Sequence, residues 1–318
     1  VYYIGMLSSP IENIRGQAQE LQQASAGMGR IGELFALQPR VTERVRAALP
    51  GGALGVAFEH VTFAYEDEGP KTNDEGAGDS STVVGHSSNA VLSDIIFDLP
   101  AGKVLGLLGR TGSGKTTLTR LLFRLYDPTG GAVRVGGIDL RDTARSELRQ
   151  RIGLVTQDVQ LFHASVRDNL TFFDPSIPDA TIERVLGDLG LLPWLHSLPE
   201  GLSTLLAPAG GGLSAGEAQI LAFTRVFLRA PGLVILDEAS SRLDPASEAM
   251  IEHAVDRLLR ERTGIIIAHR LATVLRADDI LILEDGHIRE YGPRAALMDD
   301  PDSRFSELLR VGMDEVLA

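Results

Sequence analysis

Nine residues, GRTGSGKTT from Gly109 to Thr117, constrain this chain more than any others. They follow the apolar run Val104–Leu108 and lead into a helical stretch, Thr117 to Leu125. A strand, a glycine-rich turn and a helix in that order predict an α/β sheet whose strand ends face a helix N-terminus. The turn matches the spacing G-x-x-x-x-G-K-[ST] at Gly109, Gly114, Lys115 and Thr116. Gly112 and Gly114 let the backbone bend without a Cβ clash, so the N–H groups of Arg110, Thr111, Gly112, Ser113 and Gly114 can surround an anion. In that pattern Lys115 reaches the β- and γ-phosphates of a nucleotide, and the Thr116 hydroxyl ligates Mg²⁺, with Thr117 closing the segment.

The rest of the chain supplies the sheet. Short apolar runs at Val104–Leu108, Leu233–Leu236, Ile265–Ala268 and Ile280–Leu283 read as strands buried on both faces, separated by helical stretches. Thr181 to Leu198 and Ala215 to Arg229 fall between two of them and predict an inserted helical lobe. After Leu233–Leu236 come Asp237 and Glu238, at the end of a strand where open α/β sheets hold their ligands. Neighbouring residues leave a strand on opposite faces, so Asp237 is the candidate Mg²⁺ partner and Glu238 the candidate base or water-orienting group. His269 ends the Ile265–Ala268 run and Gln157 follows Ile152–Val155. Taken singly, each is more often structural. Their convergence on one sheet edge makes His269 a candidate for the γ-phosphate and Gln157 for Mg²⁺ or the water.

Composition narrows the partners. With 43 acidic and 30 basic residues in 318, the formal charge is −13, which argues against nucleic acid as partner. The absence of cysteine excludes disulfides and thiolate metal sites. Residues 1–9, VYYIGMLSS, are apolar but shorter than the ~20 residues that span a bilayer. They are read as the last turns of a membrane helix, with an ordinary N-terminal helix as the alternative. From Pro10 to Leu37, apolar residues recur at three- and four-residue steps, predicting a long helix. Leu54 to Tyr65 is β-rich. Glu66 to Ala90, polar and rich in Gly and Ser, is expected to be a mobile insertion.

Together these residues resemble the nucleotide-binding domain of the ATP-binding cassette (ABC) family. The resemblance rests on Tyr65, GRTGSGKTT, Gln157, LSAGE (Leu213 to Glu217), LVILDE, SRLD (Ser241 to Asp244) and AHRLAT around His269. It implies a P-loop NTPase: a mainly parallel central sheet with an antiparallel β subdomain and an inserted α-helical subdomain. It implies Mg-dependent hydrolysis of ATP, with catalysis by Glu238, His269, Gln157 and Lys115 and metal binding by Thr116, Gln157 and Asp237. Tyr65 would stack on adenine. Ser214 and Gly216 of the LSAGE segment would complete the site of a second, facing subunit. LFHASVRDNL and IIIAHRLAT look like exporter segments, as does the N-terminal stretch. Residues 1–49 are then the end of the last transmembrane helix and a connecting helix. Residues 50–318 are the cassette, with the flexible insertion at 66–90 and the helical subdomain at 158–230.

Three departures from the family pattern stand out: LSAGE for LSGGQ, Arg242 for Ala in the SALD turn, and Pro208-Ala209-Gly210 for Glu-Arg-Gly. Glu217 would bring a carboxylate near the partner's γ-phosphate, where like charge weakens transition-state stabilisation. Ser214 and Glu217 also have the spacing of a helix-capping box, and the two roles are compatible. The expectation is one half of a heterodimeric exporter at the cytoplasmic face of the cell membrane, working with a second half-transporter and a transmembrane domain of its own. A homodimer, and a regulatory cassette with negligible turnover, are the alternatives.

Overall fold

The computed structural model describes residues 47–65, 90–156, 159–207, 213–237, 245–267 and 271–311, with short runs between 15 and 41. The chain divides into two compact units, Val1–Thr42 and Glu43–Ala318. In the first, the described residues between 15 and 36 are helical and exposed, as the apolar spacing predicts. Residues 1–9, and 66–89 of the expected insertion, lie outside the described residues.

The second unit is built on two sheets. Strands β1 (Val56–Phe63), β2 (Leu92–Leu99), β4 (Gly130–Val135) and β5 (Ile138–Asp139) form an antiparallel sheet in the order β2-β1-β4-β5. The other sheet contains β3 (Val104–Gly109), β6 (Ile152–Val155), β7 (Leu233–Asp237), β8 (Thr263–Ile267), β9 (Asp279–Glu284) and β10 (His287–Pro293). Its order is β10-β9-β3-β8-β7-β6, with every pair parallel except β10 with β9. This is the mixed α/β architecture read from the sequence.

The apolar runs are continuous because the central sheet is covered on both faces. Leu105, Leu107, Ile235, Ile265, Ile267 and Leu281 point into a core shared with the antiparallel sheet. Helix α1 (Lys115–Leu122) adds Leu118, Leu121 and Leu122 to that core. The alternate residues Leu108, Val234, Leu236, Ile266 and Ile280 join a second core with the helices on the other face. Successive side chains of a strand point to opposite faces, so each strand feeds both cores.

Between β6 and β7 the chain leaves the sheet to form the helical lobe. After α2 (Arg145–Arg151), which leads into β6, come α3 (Val166–Thr171), α4 (Asp179–Asp188), α5 (Leu192–Ser197) and α6 (Ala215–Arg229). The expected stretch Thr181–Leu198 is thus two helices. The break falls at Gly190, whose φ of 74° ends the first one. Ile182, Leu186, Leu195 and Phe223 fill the lobe's share of the second core.

Candidate functional site

Parallel pairing brings the carboxyl ends of β3, β8, β7 and β6 to one edge of the sheet. Leu107 pairs with Ile267, Asp237 with Ile267, and Val155 with Leu236. The edge therefore carries Gly109, at the start of the glycine-rich turn, together with Asp237. Gln157, Glu238 and His269 follow these strand ends in sequence and lie outside the described residues. Strand β8 separates β3 from β7, so the turn and Asp237 stand two strand spacings apart, roughly 10 Å.

The turn itself is tightly specified. Gly109 has φ 149°, and a Cβ there would meet the Leu283 carbonyl oxygen at 2.4 Å and Ser113 Oγ at 2.6 Å. Gly114, with φ 107°, sits at the N-cap of α1, where a Cβ would lie 2.6 Å from Leu92 Cδ2. Only glycine satisfies both positions. No side chain caps α1 and no acidic residue lies in its first turn, so its positive end faces the turn. Lys115, 7% exposed, donates from Nζ to the carbonyl oxygens of Gly109 at 2.5 Å and Arg110 at 2.9 Å. Its ammonium is thereby held over the loop. The Ser113 hydroxyl is buried without a hydrogen-bond partner, as expected of a donor reserved for an anion.

Thr116 is exposed at the first turn of α1, whereas Thr117 is buried and faces Tyr65. The Tyr65 hydroxyl lies 3.1 Å from Thr117 Oγ1 and accepts from Arg120 Nη1 at 3.0 Å. The Tyr65 ring packs edge-on against Phe63 and Tyr126, with centroids 4.8 and 5.2 Å away. Tyr65, predicted as a base platform, is thus anchored to the helix that leaves the phosphate-type turn. Sequence reasoning did not single out Arg120 or Tyr126. The available signal for Arg120 was its position three residues after Thr117 on the same helix.

Ser214 and Gly216 stand apart from this edge in sequence, at the start of α6. Ser214 is the N-cap: its Oγ accepts from Glu217 N at 3.2 Å, while Glu217 Oε2 accepts from Ser214 N at 2.7 Å. The capping box is complete, and the Glu217 carboxylate lies at the positive end of its own helix. Farther along, α6 is tied to the segment that follows β6. Gln219 Nε2 donates to the Thr156 carbonyl at 3.3 Å, and Arg225 donates to the carbonyls of Asn169 at 2.7 Å and Gln160 at 2.8 Å. Burial, and then the Arg229 charge, hold the Arg225 ionisation down to about 10, so it stays cationic at neutral pH. None of these ties was predicted. They join residues 56 to 65 positions apart, beyond any local pattern.

Comparison with known proteins agrees with this geometry. Residues 92–241 match the family model described as ABC transporter. An uncharacterized ABC transporter ATP-binding protein of Bacillus subtilis, YknV, is 33% identical over 93% of this chain and 46% of its own length. The probable multidrug resistance ABC transporter ATP-binding/permease protein YheH of the same organism is 35% identical over 94% and 41%. The exotoxin translocation ATP-binding protein PaxB of Pasteurella aerogenes is 34% identical over 95% and 40%. The chain thus spans less than half the length of these relatives. The solved structure of a bacterial Atm1-family ABC exporter with ATP bound superposes with a TM-score of 0.76 at 27% identity, over 91% of this chain and 47% of that one. The turn, the sheet edge and the matches together show that this chain belongs to the ABC transporter family, as an ATP-binding domain of the exporter type.

Proposed function

We propose that the chain is the Mg-dependent ATPase motor of an ABC exporter, acting as one half of a heterodimer in which one of two sites is weakened. The observation that carries the ATPase reading is the Gly109–Thr117 cradle, with its buried Lys115 and its unpartnered Ser113 hydroxyl. These groups bind and orient the phosphates and stabilise charge as it develops on them. Thr116 and Asp237 offer the oxygen ligands that Mg²⁺ favours, with Gln157 as a third. Bound there, the ion would draw charge from the β- and γ-phosphates. Glu238 orients or deprotonates the attacking water, and His269 contacts the γ-phosphate.

Ser214 and Gly216 serve the site of a facing subunit, so closure of two cassettes is the step that ATP favours. A membrane permease is the partner that receives this motion, which places the cassette at the cytoplasmic face of the membrane. The names of the relatives pair ATP-binding with permease, multidrug resistance or exotoxin translocation, and they support this reading. Residues 1–49 would connect to that permease, with 50–318 as the cassette, 66–90 as an insertion and 158–230 as its helical subdomain.

The weakened site rests on Glu217, whose carboxylate replaces the family's amide at the end of α6 that serves the partner. A homodimer is the second reading, favoured by the capping box, because a carboxylate held on its own helix repels a facing phosphate less. Phosphate release by the chain alone and mixed with candidate partner chains separates the two. Appreciable hydrolysis is expected in mixed dimers only, and full activity of the chain alone overturns the heterodimer. Glu238→Gln should keep ATP binding while trapping the closed dimer. Normal turnover by that variant removes Glu238 as the base.

A further inference from the structure

The Tyr65 platform carries a cation at its rim. Arg120 is exposed, its guanidinium carbon lies 5.9 Å from the centre of the Tyr65 ring, and Nη1 donates to the Tyr65 hydroxyl. That bond leaves the Tyr65 proton available for Thr117 Oγ1, 3.1 Å away. The hydrogen bond uses one of the five N–H donors of the guanidinium. Among the described residues Arg120 forms no ion pair, in a chain whose formal charge is −13. A donor-only group with spare N–H bonds thus stands beside the surface proposed to receive the base.

Its chemistry discriminates between purines. The O6 and N7 atoms of guanine are two adjacent acceptors, the pattern a guanidinium pairs with through two donors. Adenine presents N7 as an acceptor but N6 as a donor, so one contact is matched and the other is not. Stacking on Tyr65 favours neither base, because every base has a π face. The edge contact therefore decides the preference.

We propose that Arg120 reads the edge of the base resting on Tyr65, so that the site takes guanosine triphosphate at least as well as adenosine triphosphate. This rests on the platform role given to Tyr65 above. The experiment is calorimetric titration of ATP and of GTP, with EDTA present to prevent turnover, into the full chain and into the variants Arg120→Gln and Tyr65→Ala. Arg120 is on the surface, so its replacement leaves the fold intact.

The wild-type chain is expected to bind GTP as tightly as ATP or more tightly. Glutamine offers the donor and acceptor that match adenine, so Arg120→Gln should shift the affinity ratio towards ATP by about fivefold or more. Tyr65→Ala should weaken both nucleotides together. A shift in Arg120→Gln of less than about fivefold overturns the inference, as does a wild-type preference for ATP beyond about twofold. If Tyr65→Ala changes neither affinity while Arg120→Gln moves the ratio, Arg120 stands as the reader and the Tyr65 platform falls. Binding of neither nucleotide overturns both.

Discussion

Gly114 shows how much one missing methyl group decides. Its φ of 107° and the Leu92 side chain, 2.6 Å from where a Cβ would stand, rule out other residues. Gly114→Ala should lower stability by about 1–3 kcal/mol through backbone strain and weaken ATP binding by turning the N–H groups of the loop. A thermal melt with and without nucleotide checks both effects. The need for glycine was legible in the sequence, because G-x-x-x-x-G-K-[ST] encodes this backbone. So was the capping box, whose Ser and Glu three residues apart form it with no help from the rest of the fold. Arg120 was not legible as a partner of Tyr65, which lies 55 positions earlier, just after β1. The roles read from the sequence for Gln157, Glu238 and His269 fall on residues outside the described ones.

At the scale of elements, the lobe is held together by polar ties as well as by its apolar core. Asn169 is fully buried at the heart of these ties. Its Nδ2 donates to the carbonyls of Phe162 and Ser165, both at 3.0 Å, and its Oδ1 accepts from Phe162 N at 2.8 Å and Arg225 Nη2 at 3.2 Å. Asn169→Ala would strand these groups, one of them charged, and should cost about 3 kcal/mol. Hydrogen exchange should rise first over residues 160–173, ahead of the central sheet. The strands of that sheet were readable because burial on both faces leaves long apolar runs. The division of Thr181–Leu198 into two helices was less so, since Gly190 sits in a stretch apolar on both sides. Even so, Ala215–Arg229 and Ile152–Val155 keep the limits that their periodicity gave.

For the molecule as a whole, the open question is how two cassettes share their sites. In the heterodimer proposed above, the Glu217 carboxylate would tune that sharing. In a mixed dimer, Glu217→Gln should raise turnover at the site that this α6 faces, by about fivefold if one unit of like charge costs near 1 kcal/mol. The chain's own Gly109–Thr117 site should be unchanged. Single-turnover measurements on two mixed dimers, one with Lys115 replaced and the other with the partner's corresponding lysine replaced, separate the two sites. An unchanged rate in both would place the carboxylate's effect entirely within its own helix.

The lobe is inserted between β6 and β7, two neighbouring strands at one margin of the sheet. Its two peptide crossings join β6 and β7, neither of which pairs with the strand that carries the phosphate turn. A load applied to the lobe would reach the far end of α6 while β3 kept its place. In the motor proposed above, such a load would move the surface offered to the facing subunit before it disturbed the phosphate turn.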